Sequence, residues 1–331
     1  MTTECIQSSF GFEALGKREV VARFDGGDIT SDAGALLLRE VERRTGIVRQ
    51  LAGCFSDYRK PEQVEHTVAE LIAQRLYGLA LGYEDLNDHD RLRHDPMLGV
   101  LAGKRDPQGR DRRRERDRGK ATAGKCTLNR LELTPADADA RARYKKIVMQ
   151  EDAVDELLVK LFLQAHREAP EQIVLDLDAT DDPVHGAQQG RFFHGYYGHY
   201  CYLPLYIFCG EFVLCARLRP SNIDASAGSL EEIQRIVGQI RRHWPGVPIV
   251  LRADSGFCRD PLMNWCEEHA VDYVFGLAKN KRLCRIIGAA LQRAKEVFQQ
   301  TGESSRSFSD FSYRTRQSWR RARRVVAKAE H

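Results

Sequence analysis

Residues 173–178 read IVLDLD and residues 247–254 read VPIVLRAD, two apolar runs that each close on an aspartate. A short continuous run of branched aliphatic residues is the mark of a strand buried on both faces. Between the runs lie a segment rich in Gly, His and Tyr, a strand over 200–209, a Gly210-Glu211 turn, a strand over 212–219, and a helix over 229–243 with Leu230, Ile233, Ile236, Val237 and Ile240 on one face. That order lets the two runs lie side by side, which brings Asp178 and Asp254 to one point. Carboxylates crowded together persist as anions mainly around a divalent cation.

After residue 254 the pattern alternates: a helix over 260–269, a strand over 271–278 and a long helix over 281–299. Three strands in a meander followed by alternating helix and strand predict a mixed α/β sheet with flanking helices, the element order of the ribonuclease H-like fold. In that order the first and fourth strands pair in parallel at the sheet centre. Asp176 shares a strand face with Asp178, two positions on. Asp178 is preferred as the ligand because it stands at the frayed end, before Thr180, Asp181 and Asp182; Asp176 and Thr180 are then supporting partners. Phosphoryl transfer asks the protein chiefly to place Mg²⁺ ions about 3.5–4 Å apart, and carboxylates are the ligands that ion prefers.

Upstream, residues 18–30 predict a hairpin turning at Asp25-Gly26-Gly27-Asp28, then a helix capped by Ser31 or Asp32. Pro61 opens a helix running to Gly82, a further helix starts at Asp95-Pro96, and a connecting helix covers about 138–169. The expected division is a mostly helical N-terminal domain over 1–103, a basic segment over 104–135, the connecting helix over 136–170, the catalytic core over 171–300 and the start of a β-rich insertion over 301–331. The basic segment carries Arg112, Arg113, Arg114, Arg116, Arg118, Lys120 and Lys125 with scarcely an apolar neighbour. Such a run is either a solvated linker or an arm whose guanidinium groups pair with phosphate oxygens.

Composition excludes several classes. The 331 residues hold 42% hydrophobic side chains, enough for a core, and 51 basic against 47 acidic groups leave a net charge of only +4. Nine cysteines form no Cys-x-x-Cys pair and read as buried free thiols, which with the lack of a leader predicts a cytoplasmic protein. No apolar stretch nears the roughly 20 residues of a membrane span. His185, His194 and His199 match no zinc spacing; His185, Gln188 and Arg191 are read as approaching nucleic acid. Glu296, on the helix after the last core strand, is a local nominee for a third carboxylate, but an acid on an amphipathic helix is ordinarily solvent-facing. Glu267 and Glu268 are weaker nominees.

Several long strings taken together resemble one family: FDGGDITSDAGALLLREVERR (24–44), GLALGYEDLNDHDRLRHDP (78–96), DRRRERDRGKATAGKCTLNRLE (111–132), LDLDATDDPVHGAQQGRFFHGYYGHYCYLPLYIF (175–208), LRADSGF (251–257) and SWRRARRVVAKAEH (318–331). They resemble bacterial insertion-sequence transposases of the DDE class, the group catalogued under thirteen-eighty. The resemblance implies a ribonuclease H-like domain that uses Asp, Asp and Glu with Mg²⁺ or Mn²⁺ to cut element ends and join them to target DNA. It assigns the first aspartate to Asp178 and the second to Asp254. It also implies DNA contacts by the basic segment, recognition of terminal inverted repeats, and a homodimer on DNA. The glutamate of the pattern, expected on a helix after a β-rich insertion, falls on no residue here, so truncation inside that insertion is expected; Cys126 stands where relatives carry serine. Three readings follow: a strand-transferring transposase, a catalytically inactive DNA-binding remnant, and a hydrolytic nuclease of the same fold. Phe311–Tyr313 and Arg324–Ala327 read as strands flanking an uncovered Trp319.

Overall fold

The computed structural model describes residues 9–26 and 29–331, which form two compact units, about 1–157 and 158–331. Unit 1 starts with the hairpin β1 (Ser9–Leu15) and β2 (Arg18–Arg23). It turns at Gly16-Lys17, where Gly16 takes φ +62°, so the hairpin lies earlier than the Asp25–Asp28 turn expected; Gly27 and Asp28 themselves fall outside the described residues. Helix α1 (Ala35–Thr45) follows without the expected side-chain cap, since the Asp32 carboxylate instead accepts from the Tyr83 hydroxyl at 2.9 Å.

Next come α2 (Ile47–Ala52), β3 (Phe55–Asp57) and α3 (Val68–Ala80). Pro61 opens only a single 3₁₀ turn. The helix proper begins further on because Thr67 and Glu70 build a reciprocal capping box that closes the first-turn amides. Helices α4 (His89–Leu92), α5 (Pro96–Leu101) and α6 (Lys125–Glu132) complete the helical part; α5 starts at Asp95-Pro96 as expected, and the Asp95 carboxylate caps it.

The basic segment is no free arm. Ala121, Ala123, Leu128 and Leu131 are buried in unit 1, and the Gln74 amide brackets Ala123, donating to its carbonyl at 2.7 Å and accepting its N–H at 2.8 Å. A Cβ on Gly109 would come within 2.6 Å of the Ala121 nitrogen, so the loop 104–120 packs on itself at backbone distance. The expected helix over 138–169 is shorter, because Ile147 and Val148, both buried, form β4 (Ile147–Met149) against β3. Only Glu151–Ala165 is helical, as α7.

Unit 2 is built on β5 (Ile173–Ala179). After it, β6 (Asp182–Pro183), β7 (Phe192–His194) and β8 (His199–Tyr202) form a small antiparallel ribbon in the order β6-β8-β7. The strand expected over 200–209 is therefore two, β8 and β9 (Leu205–Cys209), broken where Pro204 has no N–H for a ladder. β9 and β10 (Phe212–Arg217) form a hairpin about Gly210, at φ +56°. Then follow α8 (Ser229–His243), β11 (Ile249–Ala253), α9 (Asp260–Glu268) and β12 (Asp272–Phe275).

The five-stranded sheet has the order β10-β9-β5-β11-β12. β5 runs antiparallel to β9 and parallel to β11, and β11 is parallel to β12, so the expected central parallel pair is present in a mixed sheet. Ile173, Leu175 and Leu177 on β5 join Ile249 and Leu251 on β11 in one core with Ile233, Ile236, Val237 and Ile240 of α8 and with Val159 and Phe162 of α7. The long final helix is interrupted at Ile287-Gly288 into α10 (Lys281–Ile286) and α11 (Gly288–Thr301). The chain ends in the hairpin β13 (Arg306–Tyr313) and β14 (Arg323–Glu330). Contrary to expectation Trp319 is covered, 5% exposed among Met263, Leu283 and Tyr313. Among the described residues no helix is long and apolar enough to cross a membrane.

Candidate active site

The register of β5 and β11 sets the site. Ile249 stands beside Ile173, Leu251 beside Leu175 and Ala253 beside Leu177. One residue further along both strands stand Asp254 and Asp178, on chains about 4.8 Å apart. Side chains alternate across a strand, so Ile173, Leu175 and Leu177 enter the core while Val174, Asp176 and Asp178 share the opposite face. Val250 and Arg252 share that face with them, and the extended backbone of Asp254 (φ −74°, ψ −173°) keeps the alternation going.

The three aspartates are differently employed. Asp176 is taken by Arg252, which donates Nε to Oδ1 at 2.5 Å and Nη2 to Oδ2 at 2.7 Å. This bidentate pair sits one step below the strand ends and leaves Asp176 no free charge for a ligand, in keeping with a supporting place. Asp178 is exposed and has no hydrogen-bond partner among the described residues; Thr180 is likewise exposed. Asp254 accepts the Gly256 N–H at 2.7 Å through Oδ1 and caps the turn Ser255–Phe257. Phe257, 1% exposed, pins that turn into the core.

Sequence spacing gives no sign of Gly276, although it follows β12 directly. Its N–H donates to the Ala253 carbonyl at 2.9 Å, and a Cβ there would meet the Ser255 nitrogen at 2.8 Å and the Asp254 carbonyl carbon at 3.1 Å. Only glycine lets the end of β12 lie this close beneath Asp254. Gly276→Ala is expected to cost about 1–3 kcal/mol in thermal or chemical unfolding, as overpacked sites do, and to displace Asp254. A stability within about 0.5 kcal/mol of wild type, the range of a neutral surface change, would show that the close approach is relaxed in solution.

The other nominated acids are engaged elsewhere. Glu296 lies exposed on α11 and accepts from Gln292 at 2.9 Å. Glu267 accepts from Arg323 at 2.7 Å and from the Tyr273 hydroxyl at 2.6 Å. Asp224, an acid not nominated from the sequence, whose neighbour Ala225 borders Gly256, pairs with Arg259 at 2.9 Å. Burial pushes the Asp224 carboxyl up, but hydrogen bonds from Arg259 and Ser226 outweigh it and hold the group at about 2. Among the described residues no three His, Cys, Asp or Glu side chains gather as a metal-binding group. The donor set still suits Mg²⁺ or Mn²⁺, which take one or two carboxylates and complete their shell with water and substrate phosphate oxygens.

The nominated basic residues divide in two. Arg112 is drawn into unit 1, pairing with Glu65 at 3.1 Å and contacting His66 Nε2, while Lys104 fills the other side of the ring. Burial first, then the charges of Lys104 and Arg112, press the His66 pKa down to about 3. Lys120 folds back on the Arg116 carbonyl at 2.7 Å, and Lys125 is held by Asn87 at 2.9 Å and Asp90 at 3.5 Å. Arg113 donates to the Glu62 carbonyl at 2.6 Å yet stays exposed. Arg114, Arg116 and Arg118 face solvent, Arg116 within 3.9 Å of Asp117. Unit 2 adds a basic feature that sequence spacing hid: an open depression of about 480 Å³ lined by Arg282, Arg314, Thr315 and Arg316.

A family model described as transposase DDE domain, group 1, matches residues 12–331. The chain belongs to that family. DDE domains generally use divalent metal ions, which agrees with the carboxylate chemistry of the strand ends. Among solved structures, this DDE domain is similar to the cryo-EM structure of a piggyBac transposase synaptic complex with hairpin DNA, at 13% identity and a TM-score of 0.36. The alignment covers 88% of this chain and 60% of that one, a likeness too distant to transfer residues or chemistry. No curated protein matches the chain.

Proposed function

We propose that the chain is the core of a DNA transposase of the insertion-sequence type, in which Asp178 and Asp254 hold Mg²⁺ or Mn²⁺ for phosphoryl transfer at the element ends. The observation that carries this reading is the shared face and adjacent register of the two strand ends, in a family-matched chain. The sheet order, with its parallel β5–β11 centre, supports a ribonuclease H-like core. A bound divalent ion supplies Lewis-acid stabilisation of charge on the reacting phosphodiester. The protein's own part is positional: Arg252 fixes Asp176 and ties the two strands together, the Gly256 amide fixes the Asp254 rotamer, and Gly276 gives room for both.

DNA is the proposed partner, as terminal inverted repeats and as target, with a homodimer bringing two ends together. Arg113, Arg114, Arg116 and Arg118 are the proposed phosphate contacts of unit 1, and the Arg282, Arg314 and Arg316 depression is one of unit 2. Arg112, Lys120 and Lys125 serve the fold first. The triple variant Arg114→Ala/Arg116→Ala/Arg118→Ala is expected to lower the slope of log K against log salt by about 3, near one unit for each phosphate no longer neutralised. Fluorescence anisotropy on a labelled duplex reads it between about 50 and 200 mM salt, a span worth ~10³–10⁵ in affinity for a phosphate-dominated binder. A slope equal to wild type removes the segment from the interface.

A second reading, an inactive DNA-binding form, is favoured by the fact that no third acid joins the pair among the described residues. The expected outcome for this polypeptide is salt-sensitive DNA binding with weak metal-dependent cleavage. Robust cleavage abolished by Asp254→Ala would contradict it and point to a further acid supplied on DNA binding.

A further inference from the structure

We infer that the ribbon β6–β8–β7 is a stacking platform for unpaired nucleobases at a DNA end, an inference that rests on the DNA reading above. Four aromatic side chains of this short segment are left in solvent: Phe192 at 41%, Phe193 at 58%, Tyr200 at 48% and Tyr196 at 86% exposure. Burying such rings is worth far more than exposing them, so a cluster of exposed rings marks a contact surface.

The register puts Phe193 and Tyr200 together on one side of the ribbon, with Phe192 on the other beside Cys201 and Tyr196 in the turn at the tip. Phe193 stands directly opposite Tyr200, and their rings meet edge to face at 5.6 Å. Arg191, two residues before Phe193 and so on the same face, lies 4.5 Å above the Tyr200 ring. The other face is anchored: Cys201 is fully buried and the Ser221 hydroxyl donates to the Phe192 carbonyl at 3.0 Å. The outward face thus alternates π surface and guanidinium, the composition that stacks bases and pairs with the phosphates between them.

The platform is fixed beside the carboxylates. At the hairpin tip the Tyr197 hydroxyl donates to the Ala179 carbonyl at 3.4 Å, next to Asp178, and His199 pairs with Asp181 at 2.7 Å. Burial, followed by the charge of Asp181, raises the Tyr197 pKa, as a ring tucked against the strand end requires. Tyr196 meets the Tyr197 ring at 5.0 Å and projects from the tip. Along its length a duplex presents only backbone and groove edges to such rings and at a blunt end one face of a paired, stacked base, whereas an unpaired end presents bases free to stack ring by ring, which favours the latter as occupant. An alternative occupant is the same ribbon of a second copy.

The test uses the full chain and two oligonucleotides, a blunt duplex and the same duplex with a three-nucleotide overhang carrying 2-aminopurine. Wild type is expected to bind the overhang DNA at least about fivefold tighter and to quench the 2-aminopurine. Phe193→Ala/Tyr196→Ala should erase both effects while keeping blunt-duplex affinity and the melting temperature. Phe193→Trp and Tyr196→Phe, which keep the rings, should retain them. Equal wild-type affinity for the two DNAs would overturn the platform and leave the DNA reading standing; binding to neither would sink both. Loss of self-association in the alanine variant, with overhang preference intact, would overturn it in favour of a second copy.

Discussion

Asp254→Asn, and separately Asp178→Asn, is expected to weaken Mn²⁺ binding at least about 100-fold while leaving the protein folded. Disturbing groups that merely support a metal ligand already costs about 10–100-fold, so removing one of two ligating carboxylates sets the bound at the top of that range. The amide at position 254 can still accept the Gly256 N–H, the bond that turns the chain out of β11. At 178 there is no partner among the described residues to lose. Titration of Mn²⁺ followed by electron paramagnetic resonance measures the effect, with circular dichroism to check the fold. Saturable binding of wild-type strength in either variant would mean that the strand ends do not share an ion.

Arg323→Ala is expected to destabilise unit 2 by about 2–3 kcal/mol, the loss of hydrogen bonds to charged groups, below the ~3–5 kcal/mol of an orphaned buried ion because Arg320 and Arg321 still approach Asp260 and Glu267. Arg323 is 7% exposed and donates to Asp260 at 2.8 Å, to Glu267 at 2.7 Å and to Asn264 at 2.7 Å. Its guanidinium also lies 5.5 Å from the Trp319 ring, so one side chain fastens β14 to α9 and closes the cover over Trp319. Tryptophan fluorescence should shift to the red as that cover opens. Arg323→Lys, with one ammonium in place of a fork, should fall between the two.

The same cluster sets a pH dependence. Burial pushes the Asp260 and Glu267 carboxyls up, but hydrogen bonds to Arg323 outweigh it and hold both below their ordinary values. A group with a depressed folded pKa contributes stability that is complete above its unfolded value, about 4 here, and is lost as pH falls through the folded value. Acid below about pH 4 should therefore release Trp319 in wild type, whereas Arg323→Ala should show a flatter profile. A Trp319 signal that does not change from about pH 5 down to about pH 2, across the carboxylate range, would assign the docking to packing alone.

The central sheet is legible because β5 and β11 bury one face and carry Val174 and Val250 on the half-buried other, so that they read as apolar runs up to their charged ends, and because chain order restricts how such runs can pair; burial on both faces, expected from the runs, is not what the strands show. IVLDLD and VPIVLRAD locate β5 and β11 and, with the expected order, their parallel pairing. What is not legible depends on partners distant in sequence. Ile147 and Val148 look helical beside α7 until β3 supplies a ladder. The arginine-rich stretch looks uniformly solvated, since nothing local says that Arg112 meets Glu65 and His66 or that Gln74 holds Ala123. In the site, the two acids are visible as strand-end residues. The pairing of Asp176 with Arg252, which supports the proposed preference for Asp178, is visible only once the register is known. Gly276 is invisible because its requirement is the absence of a side chain against a strand that arrives from elsewhere.

Anomalous diffraction from crystals of the full chain grown with Mn²⁺ tests the shared-ion geometry most directly. The expected result is a manganese peak held by both the Asp178 and the Asp254 carboxylates. Manganese bound by Asp176, Asp224 or Glu296, with the Asp178 and Asp254 side chains turned apart, would contradict it.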